Sequence, residues 1–136
     1  MFTMLNVGDT GSATLRVSEA DLATTLSQHK SDAFPPVFAT ARMIGLMELA
    51  AARAMHAILN EGELSVGVSI NVSHNAATPI GIEVTATARF TGREEKLYVF
   101  EVYAADAGGE IGRGVHRRAV VSTTRIVQGA ARRNAI

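Results

Sequence analysis

The sequence predicts an α+β fold in which an antiparallel sheet curls round one long helix. Three observations carry this. Residues 37–60 are apolar or small nearly all the way round, as expected of a helix enclosed by other structure. Runs of alternating apolar and polar residues follow it, each closed by a tight turn. Those turns are too short to hold crossover helices, so successive strands run antiparallel. At 136 residues, with 47% apolar and 19% charged residues, the chain is one domain large enough for its own core.

Residues 12–18 alternate, with Ala13, Leu15 and Val17 on one face, and predict a first strand. Residues 19–27 form a short helix or ordered lid, with Leu22 and Leu26 one turn apart, and 29–33 a polar loop. Pro35-Pro36 stops the long helix from extending backwards, and Gly62 follows its last turn. At ~1.5 Å per residue this helix is roughly 35 Å long, enough to cross a small domain. Gly45 costs about 1 kcal/mol against Ala in a helix interior, so its place there marks a close approach to the backbone.

The next run is the clearest strand. Leu64, Val66, Val68, Ile70 and Val72 fall on one face, and Ser65, Gly67, Ser69, Asn71 and Ser73 on the other. It ends at His74-Asn75. After a turn at residues 78–81, Ile80, Ile82, Val84, Ala86, Ala88 and Phe90 alternate with Glu83, Thr85, Thr87 and Arg89 in a second strand. A hairpin turn at 91–94 leads to a third strand over 96–105, and Gly108-Gly109 turns into a fourth over 111–126. The domain is expected to span 1–127, with 128–136 a flexible tail.

A formal net charge of zero argues against a nucleic-acid binder. Without cysteine there is no disulfide, thiolate metal site or thiol nucleophile. Arg42, Glu48 and Arg53 interrupt the long apolar stretch, which argues against a membrane-spanning helix. The first ten residues lack a basic segment followed by an apolar one, so a cytoplasmic protein is expected. No P-loop, dinucleotide fingerprint, zinc motif or nucleophile elbow is present, and no cofactor is expected.

The chemistry therefore rests on isolated polar residues. Glu48 sits mid-helix among Ile44, Gly45, Ala51 and Ala52, with no cation one turn away. It either faces water in a cleft or meets a partner from elsewhere in the chain. Thr40, near the helix start, is a cap or a reacting hydroxyl. His74, where the best strand ends, either caps that end or works there. His29 lies in the polar loop, and His56 suits the helix C-terminus. His116 with Arg117 and Arg118 reads as a solvated strand edge, phosphate contact being the other option. Met43, Met47 and Met55 are core.

Larger segments carry a resemblance. Phe34-Pro35-Pro36-Val37-Phe38-Ala39-Thr40, Met43-Ile44-Gly45-Leu46-Met47-Glu48, Arg53-Ala54-Met55 and Val72-Ser73-His74-Asn75-Ala76-Ala77-Thr78-Pro79 resemble the fluoroacetyl-CoA thioesterase group of hot-dog-fold proteins. Ile111-Gly112-Arg113-Gly114 and His116-Arg117-Arg118-Ala119-Val120 are similar to it as well. The resemblance implies a hot-dog fold and a thioesterase acting on a small acyl-CoA. It makes Thr40, Glu48 and His74 catalytic, with Gly67 holding the thioester, Phe34 gating the acyl pocket and Arg118 bordering the site. It also implies a homodimer with its sites at the subunit interface, where Glu48 would meet its partners. Coenzyme A enters only as part of the substrate. The lid matches less well, with a polar segment at 20–30 and Ser31 where the fluoroacetyl-specific member has an aromatic, so the acyl group stays open.

Thioester hydrolysis needs a nucleophile or activated water, a proton carrier and donors for the oxyanion. Glu48 would attack or activate water, His74 would move the proton, and Thr40 would supply a nucleophilic or orienting hydroxyl. A hydratase or dehydratase on acyl thioesters, and a non-catalytic acyl-CoA-binding module, are the alternatives.

Overall fold

The computed structural model describes residues 4–136; residues 1–3, which the expected domain and the N-terminal reading include, lie outside them. The elements in chain order are β1 (Thr10–Arg16), α1 (Thr40–Met55), β2 (Glu63–His74), β3 (Glu83–Glu94), β4 (Leu97–Asp106), β5 (Gly109–Ser122) and α2 (Thr123–Arg133). Short 3₁₀ turns occupy Glu19–Asp21, Ala23–Leu26 and His56–Ile58. All strands pair antiparallel in the order β1-β3-β4-β5-β2, which leaves β2 at one edge of the sheet.

The sheet curls round α1. The helix buries Met43, Leu46, Met47, Ala50, Ala51 and Met55 against Val84, Ala86, Ala88 and Phe90 of β3 and Phe100, Val102 and Ala104 of β4. Small residues on the strands let the helix come close. Gly11 of β1 shows the limit, because a side chain there would run into the helix backbone at Ala50 and Ala54.

Helix α1 is shorter than the expected 37–60. Phe38 N–H donates to the Thr78 carbonyl (2.8 Å) and Ala23 N–H to the Val37 carbonyl (2.8 Å), so tertiary bonds hold 37–38 extended. At the other end the α-helix tightens into the 3₁₀ turn His56–Ile58. The helix is also not enclosed on every side. Ala41, Gly45 and Leu49 form an exposed stripe, Leu49 at 43% exposure. Nothing in the chain lies within 4 Å of where a Gly45 side chain would begin, so the expected close approach is not made within this chain.

β2 departs most from its expected pattern. Gly67 pairs with Arg118 and Ser69 with Arg117, so Val68 is an extra, bulged residue. A bulge reverses which face later residues occupy. Ser65 and Gly67 share the inner face with Ile70, Val72 and His74, while Leu64 and Val66 face outward, and Val68 is 55% exposed. The apolar letters of β2 therefore do not form one buried face.

The end of the chain differs too. β5 stops at Ser122, whose hydroxyl accepts from Arg125 N–H (3.3 Å) and caps α2, so residues 123–133 are helix rather than strand and tail. No helix among the described residues is long and apolar enough to cross a membrane.

Candidate active site

Thr40 opens α1 and His74 closes β2, and the fold joins them: Thr40 Oγ1 lies 2.8 Å from His74 Nδ1. The loop after His74 is held firmly. Asn75 N–H donates to the Ile111 carbonyl (2.7 Å), and the buried Thr78 hydroxyl donates to Asp106 Oδ2 (2.6 Å). Burial holds the His74 pKa below its ordinary value, the Ala76 backbone opposing. A neutral imidazole here can take a proton from the Thr40 hydroxyl. His74 Nε2 is buried and has no hydrogen-bond partner among the described residues, which marks it for a group from outside the chain.

The pair opens into a cleft of about 390 Å³. Leu26, Phe34, Val37, Phe38 and Ala77 give it apolar walls, and Phe34 is 43% exposed at its side. Thr40 and Ala41 both line it. A helix start carries N–H groups with no intrahelical partner, suited to a developing negative charge.

Glu48 stands elsewhere. It leans over Gly67 of β2, where a Cβ would collide with Glu48 Oε1 and come within 3.1 Å of His116 Cε1. His116 and Arg118 follow one another on the inner face of β5, 0% and 5% exposed. Arg118 Nη1 donates to His116 Nε2 (3.0 Å), its Nε to Ser65 Oγ (3.0 Å) and its Nη2 to the Ser65 carbonyl (2.9 Å). Burial and the Arg118 charge push the His116 pKa down, while the Ser69 carbonyl and the Glu48 charge pull it up. Burial also lowers the Arg118 pKa, with Glu48 opposing. The solvated-edge reading of His116 and Arg118 is thus wrong; only Arg117 faces out, bonded to Glu94 (3.0 Å). The signal was available, since alternation puts His116 and Arg118 on the face of Gly112 and Gly114, where small residues mark close packing.

Within one chain these are two separate groups. His74 pairs with Gly112 at one end of the β2–β5 ladder, whereas Gly67 pairs with Arg118 near its middle. At ~3.3 Å per residue the strand separates them by on the order of 20 Å. Thr40, His74 and Phe34 come together; Glu48, Gly67 and Arg118 form the second group.

The sequence model of the FlK family, fluoroacetyl-CoA-specific thioesterase, matches residues 17–124. The chain belongs to this thioesterase family. The fluoroacetyl-CoA thioesterase of Streptantibioticus cattleyicolor is 50% identical over 88 residues, a stretch covering 65% of this chain and 63% of that protein's length. A crystal structure of a Phe-to-Ala mutant of the fluoroacetyl-CoA-specific thioesterase FlK, in complex with fluoroacetate and CoA, superposes with a TM-score of 0.82 at 40% identity, covering 89% of this chain and 98% of that one. A hot-dog-like protein from Thermanaerovibrio acidaminovorans gives a TM-score of 0.80 at 29% identity, covering 93% and 91%. The sheet curled round α1 is the hot-dog fold of the FlK family, as the resemblance implied.

Proposed function

We propose that this protein is an acyl-CoA thioesterase that hydrolyses a small acyl-CoA to the free acid and CoA, with Thr40, Glu48 and His74 as its catalytic residues. The observation that carries the reading is the Thr40–His74 contact of 2.8 Å on a small apolar cleft. His74 takes the hydroxyl proton as Thr40 Oγ1 attacks the thioester carbonyl carbon. The first-turn N–H groups of α1 stabilise the oxyanion. Collapse breaks the C–S bond, the proton passes to the CoA thiolate, and His74 then activates water to cleave the Thr40 ester. The cleft volume suits a short acyl chain, with Phe34 over it as the gate.

Glu48 enters this scheme from a second copy. β2 is an open edge strand, and edges invite pairing. Two copies joined antiparallel through β2 about a two-fold axis bring His74 of one beside Gly67 of the other. The Glu48 carboxylate of the second copy then accepts from His74 Nε2–H, the atom lacking a partner in one chain. Such a homodimer also covers the exposed stripe of Ala41, Gly45 and Leu49 and accounts for a glycine in α1. Gly67 holds the thioester against the reacting groups, and Arg118 borders them. A cytoplasmic location suits a CoA-thioester substrate.

The test is thiol release from short acyl-CoAs by wild type, Thr40→Ala, Glu48→Gln and His74→Ala. Release by wild type with about a hundredfold or greater loss of kcat in each variant supports the reading. Tight acyl-CoA binding without thiol release, or turnover only of enoyl- or hydroxyacyl-CoA by hydration or dehydration without thiol release, overturns it.

A further inference from the structure

Among the described residues, His116 is the one buried titratable side chain that the scheme above leaves without a task. Its hydrogen bonds leave no choice of protonation. Arg118 only donates, so His116 Nε2 must carry the lone pair that receives Nη1–H at 3.0 Å. The proton therefore sits on Nδ1, which donates to the Ser69 carbonyl at 2.9 Å. Ser69 is the residue just after the bulge, and Ser65, which Arg118 holds through both its hydroxyl and its carbonyl, lies three residues before Val68. The two β5 side chains thus grip β2 on either side of Val68. Gly67 rests between the Glu48 carboxylate and the His116 ring edge.

We propose that His116 is a positioning residue: as the neutral Nδ1–H tautomer, bonded to Arg118, it clamps the Val68 bulge and so sets Gly67 and Glu48 in their working places. The clamp explains why a strand with alternating apolar letters breaks its register where it does. Protonated His116 would lose the bond from Arg118 and face that guanidinium as a second cation, with only Glu48 to offset it. The ring acts through the backbone of β2 and through Arg118, and touches no reacting atom.

The proposal rests on the thioesterase reading for its kinetic consequence and on geometry alone for its tautomer. Long-range ¹H–¹⁵N NMR of the wild-type imidazoles reads the tautomer. Kinetics of His116→Phe and His116→Asn read the consequence, Asn keeping an N–H donor near the Nδ1 position. The expected result is a neutral Nδ1–H ring at pH 7, with kcat in His116→Phe lowered about ten- to a hundredfold at a KM within about threefold of wild type. His116→Asn recovers part of that loss; if His116→Phe does not fold, the ring tautomer and a lowered kcat in His116→Asn carry the test. An Nε2–H or charged ring, wild-type kcat in either variant, or a loss confined to KM overturns the clamp. A wild type that releases no thiol defeats the thioesterase reading instead, and the tautomer still judges the clamp.

Discussion

The Glu48 carboxylate occupies the space that a side chain on Gly67 would need: a methyl group there would collide with Oε1. The carboxylate of α1 and the backbone of β2 are therefore in direct contact, and glycine is required for reasons of space. Gly67→Ala must displace the carboxylate or the strand. We expect a tenfold or greater fall in kcat, since a shift of about 1 Å at a reacting group costs on the order of 10²-fold. Thermal stability should change little, because Gly67 lies at the exposed sheet edge.

The Thr40–His74 pair predicts a graded series. Thr40→Ser keeps the hydroxyl and should retain most activity. Thr40→Ala should lose it while leaving the fold intact, Thr40 being exposed at a helix start. Thiol-release kinetics at matched protein stability decide the order.

Acid should weaken the protein in two linked ways. His74 and His116 both have pKa values held below the ordinary 6.5, chiefly by burial. The unfolded chain then binds more protons than the folded one as pH falls below that value, so stability decreases with falling pH. The stability is fully present above about pH 6.5 and is lost as pH drops through the lowered folded values. Activity, which in the proposed mechanism needs neutral His74, should persist below pH 6.5 before failing. Melting temperature and kcat measured from pH 8 to 5 check both; a flat or rising melting temperature toward acid contradicts the account.

The bond from Thr78 to Asp106 ties the loop after His74 to the end of β4, and Thr78 is wholly buried. Asp106→Ala leaves that hydroxyl unpaired, at a cost of about 1–3 kcal/mol. Denaturant unfolding should show that loss. Acyl-CoA turnover should fall with it, because the same loop carries Asn75, Ala76 and Ala77 along the cleft.

The fold was legible where hydropathy is informative on both faces. In β3, Val84, Ala86, Ala88 and Phe90 are buried, while threonines and charges alternate with them, as the period of two requires. β2 misled because Gly67 and the serines beside it carry no strong signal, so a one-residue slip at Val68 left the letters alternating while the faces exchanged. α2 escaped notice because residues 123–126 continue the letters of the strand before them and residues 128–136 are small and polar, so the cap at Ser122 went unread. His116 and Arg118 looked solvated because three basic residues in a row usually are. Their burial depends on mutual hydrogen bonds and on Glu48, reached from a distant part of the sequence. Thr40, Glu48 and His74 were identifiable as candidates, but their division into two groups follows from strand order, which local patterns do not record.

The central claim is that a working centre combines Thr40 and His74 of one copy with Glu48 of another. Mixing two inactive variants, Glu48→Gln and His74→Ala, tests it most directly. In a mixed pair one centre regains an intact His74 and an intact Glu48, so unfolding and refolding the mixture together should restore about a quarter of wild-type thiol release, the share expected from random pairing. A mixture as inactive as its two components would contradict the claim.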